Sequence, residues 1–302
     1  MITNFPNGIS SFGVPLTGGS QLVDMSGTVY FVDGNSGSDG NDGLSWDYPK
    51  KTVAAALVVS HADIARGSDR WARRNTVFIA GDRFTENLVL GAQKTDLIGV
   101  GSCDSYKRAG IRGNHTMANN CSGMRFINIQ FEPAASSDIV TQASTASGIE
   151  FWNCNFLAAF GAYTAPSAIQ STASPLLKIM HCTFEGAFSG DVIDIAAGDA
   201  SGTQIVGNEI RGGANDGIVI SGVATVSGIS SRGLIADNYI QVAAKTIDTR
   251  AVSVFNVYNN RCISAAALGG DSYVIDPTFA CGNIITGADA SASVPNLLVR
   301  TT

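Results

Sequence analysis

A six-residue pattern returns seven times between residues 126 and 285, and each copy begins and ends with an apolar or small residue. Successive copies lie 22 to 30 residues apart. A period of this length is typical of a solenoid, in which every repeat is one coil and the apolar columns point into a shared core. The first column is Phe126, Phe151, Ile179, Ile205, Ile235, Val257 and Ala280, and the second is Phe131, Phe156, Phe184, Ile210, Ile240, Cys262 and Ile285.

The interior of each copy predicts a bend and a ladder. The third position before its end holds residue types that tolerate a positive φ at low cost, so the chain is expected to bend there. These residues are Asn128, Asn153, His181, Gly207, Asp237, Asn259 and Gly282. The next position in the later copies is Asn208, Asn238, Asn260 and Asn283, which we expect to hydrogen-bond along the stack as an asparagine ladder. Short strands joined by such bends and stacked about 4.8 Å apart predict an all-β, right-handed, single-stranded parallel β-helix.

The amino-acid composition argues against nucleic acids and membranes as binding partners of such a coil. The chain has 302 residues, of which 45% are hydrophobic and only 15% are charged, with a formal net charge of −6. Its basic residues are scattered, which argues against nucleic-acid binding. No apolar run approaches the roughly 20 residues that span a bilayer, and the N-terminus lacks the basic and apolar regions of a secretory signal. We therefore expect one elongated domain that binds no membrane and is not exported by that route.

Residues 1–27 are expected to form an extended anchoring arm that precedes the β-helix of residues 28–302. The first 23 residues carry no charged side chain, and Pro6 and Pro15 argue against a helix. Such a composition does not keep a tail solvated, so docking on another subunit or a partner protein is predicted, with a flap on the chain's own coil as the alternative. The predicted contact residues are Ile2, Phe5, Ile9, Phe12, Val14 and Leu16.

The coil is predicted to begin with a strand at 29–33, a turn-rich loop at 34–43 and a helix over about 52–66 that Thr52 caps. This helix would cover the exposed edge at the end of the coil. The loop acids Asp33, Asp39 and Asp42 suggest calcium, but Leu44 stands where an EF-hand loop needs a glutamate. No metal site is predicted.

We expect the cysteines and histidines to have structural roles, because of their positions in the repeat. Cys154 and Cys182 fall in one inward column and are expected to be stacked core thiols, with a disulfide as the alternative. Cys103 and Cys121 flank a loop, and the sequence does not decide whether they pair. His61 is placed on the helix, His181 in a bend and His115 in a loop. The segments 133–147 and 160–175 are predicted to leave the coil as loops, where function on such folds usually lies.

The columns and bends resemble those of the pectate-lyase-like superfamily. The stretches YFVDGNSGSDGNDGLSWDYPKKTVAAAL (30–57) and AGDRFTENLVL (80–90) are similar to the opening of β-helix proteins from phage particles and bacteria. The resemblance covers roughly residues 28 to 290. It implies the fold but not one activity, because this architecture serves lyases, hydrolases, esterases and inert viral spikes alike.

Catalytic carboxylates on this fold would come from adjacent coils, and the candidates are Asp216, Asp194 and Asp237. Asn215-Asp216-Gly217-Ile218 resembles the first acidic motif of polygalacturonase-type hydrolases. The other parts of that family's signature, a paired aspartate, Gly-His-Gly and Arg-x-Lys, are absent from the sequence. Asn-Asp-Gly is also an ordinary turn before a strand at 218–220. Aromatic side chains available for sugar stacking are Trp152, Tyr163, Tyr239 and Tyr258.

The uncharged arm, the low charge and the missing catalytic signatures favour a non-enzymatic structural protein that needs no cofactor, and the resemblance implies that it belongs to a phage particle. By similarity to viral spikes of this fold we expect a homotrimer that serves as a decoration, cement or appendage protein on the particle surface after synthesis in the host cytoplasm. Its partners would be its own copies and the major capsid protein or another virion protein, reached through the arm. The alternative is a tailspike-type protein that binds or cleaves bacterial surface polysaccharide, as a glycoside hydrolase or polysaccharide lyase.

Overall fold

The computed structural model describes residues 10–11, 14–15, 27–66, 73–80, 83–91, 94–101, 109–118, 120–143, 145–158, 163–173, 175–195, 199–221, 233–249, 255–264, 273–274 and 279–287. Within these residues the chain is a right-handed parallel β-helix with three parallel sheets and one short α-helix. No helix in this described part is long and apolar enough to cross a membrane.

Each coil from Asn75 to Val274 contributes one strand to each sheet, in the order sheet 1, sheet 2, sheet 3, whereas the first described coil has only a sheet 1 strand and the last has strands in sheets 1 and 2. Sheet 1 consists of Val29–Asp33, Asn75–Ala80, Thr95–Gly99, Arg125–Ile127, Glu150–Trp152, Lys178–Met180, Gln204–Val206, Gly233–Ala236, Phe255–Tyr258 and Phe279–Cys281. Sheet 2 consists of Arg83–Thr85, Ala109–Arg112, Ile129–Glu132, Asn155–Leu157, Thr183–Glu185, Glu209–Arg211, Tyr239–Val242, Arg261–Ser264 and Ile284–Gly287. Sheet 3 consists of Val89–Leu90, His115–Met117, Val140–Gln142, Ile169–Ser171, Ile193–Ile195, Ile218–Ile220, Ile247–Asp248 and Tyr273–Val274.

The two predicted apolar columns are in register and fill the core. Phe126 pairs with Phe151 in sheet 1, and Phe131 pairs with Phe156 in sheet 2. Both columns are buried from the coil of Phe126 to the coil of Cys262. Aromatic rings stack along each column, with centroids 5.0 Å apart for Phe126 and Phe151 and 4.8 Å apart for Phe156 and Phe184. From the coil of Phe126 to the coil of Cys262, the inward face is thus closed by the residues that define the repeat.

The predicted bends join sheet 1 to sheet 2, and all seven bend residues have a positive φ. The values lie between 50° for Asn153 and 67° for Gly207 and Gly282. At Gly207 a glycine is also required by space, because an added Cβ would lie 2.5 Å from His181 Nδ1 of the preceding coil. The residue types that tolerate this conformation therefore fix where the chain turns.

The predicted helix spans Val53–Ala65, and its N-terminus is capped twice. The Thr52 side chain accepts the Ala55 N–H at 3.2 Å, and Glu86 accepts the N–H groups of Val53 and Ala54 at 3.0 and 2.9 Å. The predicted stripe on Val53, Ala56, Leu57, Ser60 and Ile64 is buried. In the predicted arm, Ser10–Ser11 pairs antiparallel with Val14–Pro15. Ile2, Phe5, Ile9, Phe12 and Leu16, and the side chain of Val14, lie outside the described residues.

Three predictions about irregular segments are wrong. The segments 133–147 and 160–175 do not leave the coil entirely, because they contain the sheet 3 strands Val140–Gln142 and Ile169–Ser171. These strands have only three residues each and place Gln142 and Ser171 in buried positions, so they lack an apolar pattern. His115 is not in a loop either. It begins a sheet 3 strand, and its ring is buried edge-on against Phe131.

Candidate functional site

The four predicted asparagines form a continuous ladder beside the bends. Asn238 is typical: its Nδ2 donates to Ile205 O of the preceding coil and to Asn260 Oδ1 of the next, both at 2.9 Å. Its Oδ1 accepts the backbone N–H and the Nδ2 of Asn208, both at 2.9 Å. Asn208, Asn260 and Asn283 are buried in the same arrangement. These amides hydrogen-bond backbone N–H and C=O groups that, because the chain bends here, have no partner in the sheets.

Cysteines continue this column toward the N-terminus. The Cys182 N–H donates to Asn208 Oδ1 at 2.8 Å, and the Cys154 N–H donates to Cys182 Sγ at 3.4 Å. Both thiols are buried and free, as is Cys262. The prediction of stacked core thiols is confirmed. Cys121 is buried, and Cys103, its possible partner in the sequence, lies outside the described residues.

A second polar ladder lies at the turn between sheets 2 and 3, and it contains one of the acids that were candidates for catalysis, Asp216. At four of its six steps a side-chain oxygen accepts the N–H of the equivalent residue one coil later. Asp191 accepts from Asp216 at 3.1 Å, and Asp216 accepts from Lys245 at 2.8 Å. Asp138 accepts from Ser167 at 3.0 Å, and Asn87 accepts from Asn114 at 2.9 Å. We call the column of residues 87, 114, 138, 167, 191, 216 and 245 the acid ladder.

Asp194 lies close to this ladder but on the outer face of sheet 3. Its register partner one coil later is Val219, and the next is Asp248. Burial first, and then the charges of Asp191 and Asp138, raise the pKa of Asp194 to about 6. Burial likewise raises the pKa of Asp191. Asp248 is instead paired, since its carboxylate lies 2.9 Å from Lys245 Nζ.

Asp237 does not belong to this group. It is an exposed bend residue with a φ of 56° between sheets 1 and 2, whereas Asp194 and Asp216 lie at sheet 3. The structure therefore brings together two of the three predicted acids and separates the third. Asp191 and Asp248, also available from the sequence, lie near these two, and the structure adds Asp138. The signal for Asp138 was the recurrence of Asn or Asp just before several sheet 3 strands, at Asn87, Asn114, Asp191 and Asp216.

A shallow groove of about 590 Å³ opens beside the acid ladder, where sheet 2 ends. Its floor is backbone, because an added Cβ on Gly212 would lie 2.3 Å from Gly186 O. Two charged side chains in register, Glu185 and Arg211, stand on one wall. Arg211 is itself paired with Glu209. The groove is mostly apolar and is wide open to solvent.

The candidate sugar-stacking aromatics do not share one surface. Trp152 and Tyr258 lie in one outward column of sheet 1. They cannot pack on each other, because three coils separate them. Tyr239 lies on sheet 2 between the guanidinium groups of Arg211 and Arg261, at 5.7 and 5.6 Å. Tyr163 lies 5.8 Å from the guanidinium of Arg112.

The acids of the N-terminal loop are used as backbone acceptors. Asp39 Oδ1 accepts the N–H groups of Lys51 and Thr52 at 3.0 and 2.8 Å, and Asp33 Oδ1 accepts those of Asn35 and Ser36. Asp42 accepts from Leu44 at 2.9 Å. Among the described residues, no three side chains of histidine, cysteine, aspartate or glutamate are grouped to hold a metal ion.

These features define the chain as a parallel β-helix protein whose polar side chains form two ladders at its turns. No protein-family model matches the sequence, and no curated protein or solved structure matches it significantly.

Proposed function

We propose that this chain is a non-enzymatic structural protein of a phage particle, a homotrimeric β-helix held to the capsid or tail by its N-terminal arm. The phage assignment comes from the sequence resemblance, and the structural role from the use of the polar residues. Its expected partners are its own copies and the major capsid protein or another virion protein on the particle surface.

The observation that supports a structural role is the acid ladder. A catalytic carboxylate must be available to substrate, yet Asp138, Asp191 and Asp216 each hold the backbone N–H of the next coil. A buried or half-buried N–H left without an acceptor costs about 1–3 kcal/mol, so these acids stabilise the turn. The polar columns of this fold thus serve the coil itself.

Two substitutions of Asp216 separate a structural from a catalytic role. The amide of Asp216→Asn retains an oxygen for the Lys245 N–H, whereas Asp216→Ala removes the acceptor. We expect the alanine variant to lose about 1–2 kcal/mol of unfolding free energy and the asparagine variant to lose less. Thermal unfolding and a screen for polysaccharide cleavage measure both. A polysaccharide-cleaving activity of the wild type that Asp216→Asn abolishes would refute the structural assignment.

A second candidate function is cleavage of bacterial surface polysaccharide, and Asp194 is the residue that favours it. A carboxyl whose pKa is raised to about 6 suits a general acid. Asp248 lies two coils away in the same outer column, about 9.6 Å along the stack, and Lys245 keeps a cation beside it. This backbone spacing is slightly longer than the roughly 6.5–9.5 Å between the two carboxyl groups of inverting glycosidases, so the two side chains would have to lean toward each other.

This candidate is tested with Asp194→Asn and with Asp237→Asn as the matched control on the opposite side of the coil. Release of reducing ends from host polysaccharide would be abolished by the first variant and retained by the second. Absence of product release from the wild type across host polysaccharides would exclude the hydrolase.

A further inference from the structure

The outer face of sheet 1 carries an apolar column along nine coils. Backbone register links its members in unbroken order, from the first strand to the coil of Tyr258. All are partly exposed except Ala236, which is buried. The residues of this apolar column are Phe31, Phe78, Ile98, Ile127, Trp152, Met180, Val206, Ala236 and Tyr258.

The column does not serve the core of its own coil. The inward positions of the same strands are the alternate residues, such as Phe126, Phe151 and Ile179, and these are fully buried. An outward strand position normally faces water and is polar. Sheet 3 shows the ordinary case, because its outer column runs through Thr141, Gln170 and Asp194.

The charges beside the apolar column already have partners within the chain. Asp96 is fully buried and accepts from Arg74 Nη1 and Arg125 Nε, both at 2.7 Å. Glu150 accepts from Lys178 Nζ at 2.9 Å and from the Trp152 indole N–H at 2.8 Å. A partner that covers this face would therefore leave none of these charges buried without its counter-charge. The face does not require a partner of opposite charge.

The size of the column fits an interface shared among copies. Nine coils at about 4.8 Å per step extend roughly 38 Å. A strip about 10 Å wide gives about 400 Å² per copy, which is near the largest apolar patch that a monomer usually exposes. Three such strips meeting at one axis bury about 1,200 Å² in total, or about 400 Å² for each pair of copies, so the column would be the central part of a trimer contact and not the whole of it.

We propose that the apolar column is the contact surface between copies of this chain, which pack in parallel around an axis that runs along the coils. This inference rests on the proposed trimer and assigns its interface. A second copy is the occupant that fits, because only an identical stack repeats at the same spacing over all nine coils. Parallel packing brings each residue of the column toward its equivalent in the neighbouring copies.

Val206 and Val219 provide a matched pair for the test, since both are partly exposed outward valines of the same coil, on sheet 1 and sheet 3. Light scattering after size exclusion should give three times the mass of one chain for the wild type and for Val219→Gln. Val206→Gln should weaken self-association at least tenfold, with an unchanged circular dichroism spectrum. A trimer that Val206→Gln leaves intact would overturn this assignment of the interface.

Cysteine cross-linking keeps the proposal testable if Val206→Gln folds poorly. Under mild oxidation Val206→Cys should give a disulfide-linked dimer on a denaturing gel, whereas Val219→Cys should remain a single chain. A folded wild type that is monomeric at micromolar concentration would overturn the proposal, including the case in which the chain's own arm covers the column. Incorporation into phage particles is measured in a separate experiment. A wrong assignment of the interface can therefore be distinguished from a wrong assignment of the function.

Discussion

At the scale of single residues, each ladder asparagine makes at least three side-chain hydrogen bonds. Asn260 accepts from the Asn238 N–H and Nδ2, and it donates to Ile235 O and Asn283 Oδ1, all within 3.0 Å. Because the site is buried, an alanine there would leave polar groups in both neighbouring coils without a hydrogen-bond partner.

We predict that Asn260→Ala lowers the unfolding free energy by roughly 2–4 kcal/mol, since two or three buried groups lose a partner at about 1–3 kcal/mol each. Chemical denaturation measures the change. Asn256→Ala, at a partly exposed outer position of sheet 1, is the control and should change it by about 0.5 kcal/mol or less. Equal effects of the two variants would show that the ladder contributes nothing specific.

His115 gives the coil a pH dependence. Burial lowers its pKa to about 4, its Nδ1 accepts the Leu88 N–H at 3.2 Å, and its buried Nε2 has no partner within the described structure. The folded pKa lies below the unfolded value near 6.5, so protonation favours the unfolded chain. The stability that the neutral ring supports is present above pH 6.5 and is lost as the pH falls toward 4.

We predict that this residue makes the wild type lose about 3 kcal/mol between pH 6.5 and pH 4, relative to a variant without the imidazole. Denaturation of the wild type and His115→Gln over this range measures the difference in slope. Parallel slopes would mean that His115 titrates alike in the folded and unfolded chains.

At the scale of elements, the helix Val53–Ala65 depends on a residue of the first full coil. Glu86 accepts the N–H groups of Val53 and Ala54, and a carboxylate is also favoured by the dipole at a helix N-terminus. We predict that Glu86→Ala costs about 1–2 kcal/mol and speeds amide hydrogen exchange in this helix. Val58→Ala, at a position with 68% exposure, serves as the control. Unchanged exchange in the first turn would contradict this capping role.

An element could be predicted from the sequence where its residues follow a regular pattern. The strands of sheets 1 and 2, the bends and the capping helix were predictable, because apolar columns and residues that tolerate positive φ recur at fixed offsets. Most of sheet 3 was not, although its strand Ile218–Ile220 was predicted, since strands such as Ile169–Ser171 are short and bury serine or glutamine. Because most strands of sheet 3 were not predicted, the acids beside them could not be aligned from coil to coil. Asp216 therefore appeared as an isolated motif, and Asp237 appeared as its possible partner.

At the scale of the whole molecule, the described coils form a stack with polar ladders at two of its turns and an apolar column on the outer face of sheet 1. Sheet 1 would face other copies under the proposed interface, and sheets 2 and 3 would remain on the outside of the assembly. Attachment to a particle would then depend on the arm, whose uncharged sequence contains Phe5 and Phe12. Each phenyl ring can bury about 150 Å² on a partner, and at about 25 cal/mol per Å² the two supply several kcal/mol before ordering costs.

The central claim is that this chain is built into a phage particle through its arm. Quantitative mass spectrometry of purified particles, assembled with the wild type, with Phe5→Ser/Phe12→Ser or with the exposed-residue control Tyr48→Ser, tests it most directly. We predict a fixed number of copies per particle for the wild type and the control. The arm variant should show at least a tenfold loss of occupancy while its melting temperature is unchanged. Absence of the wild-type chain from particles, or full occupancy by the arm variant, would contradict the account.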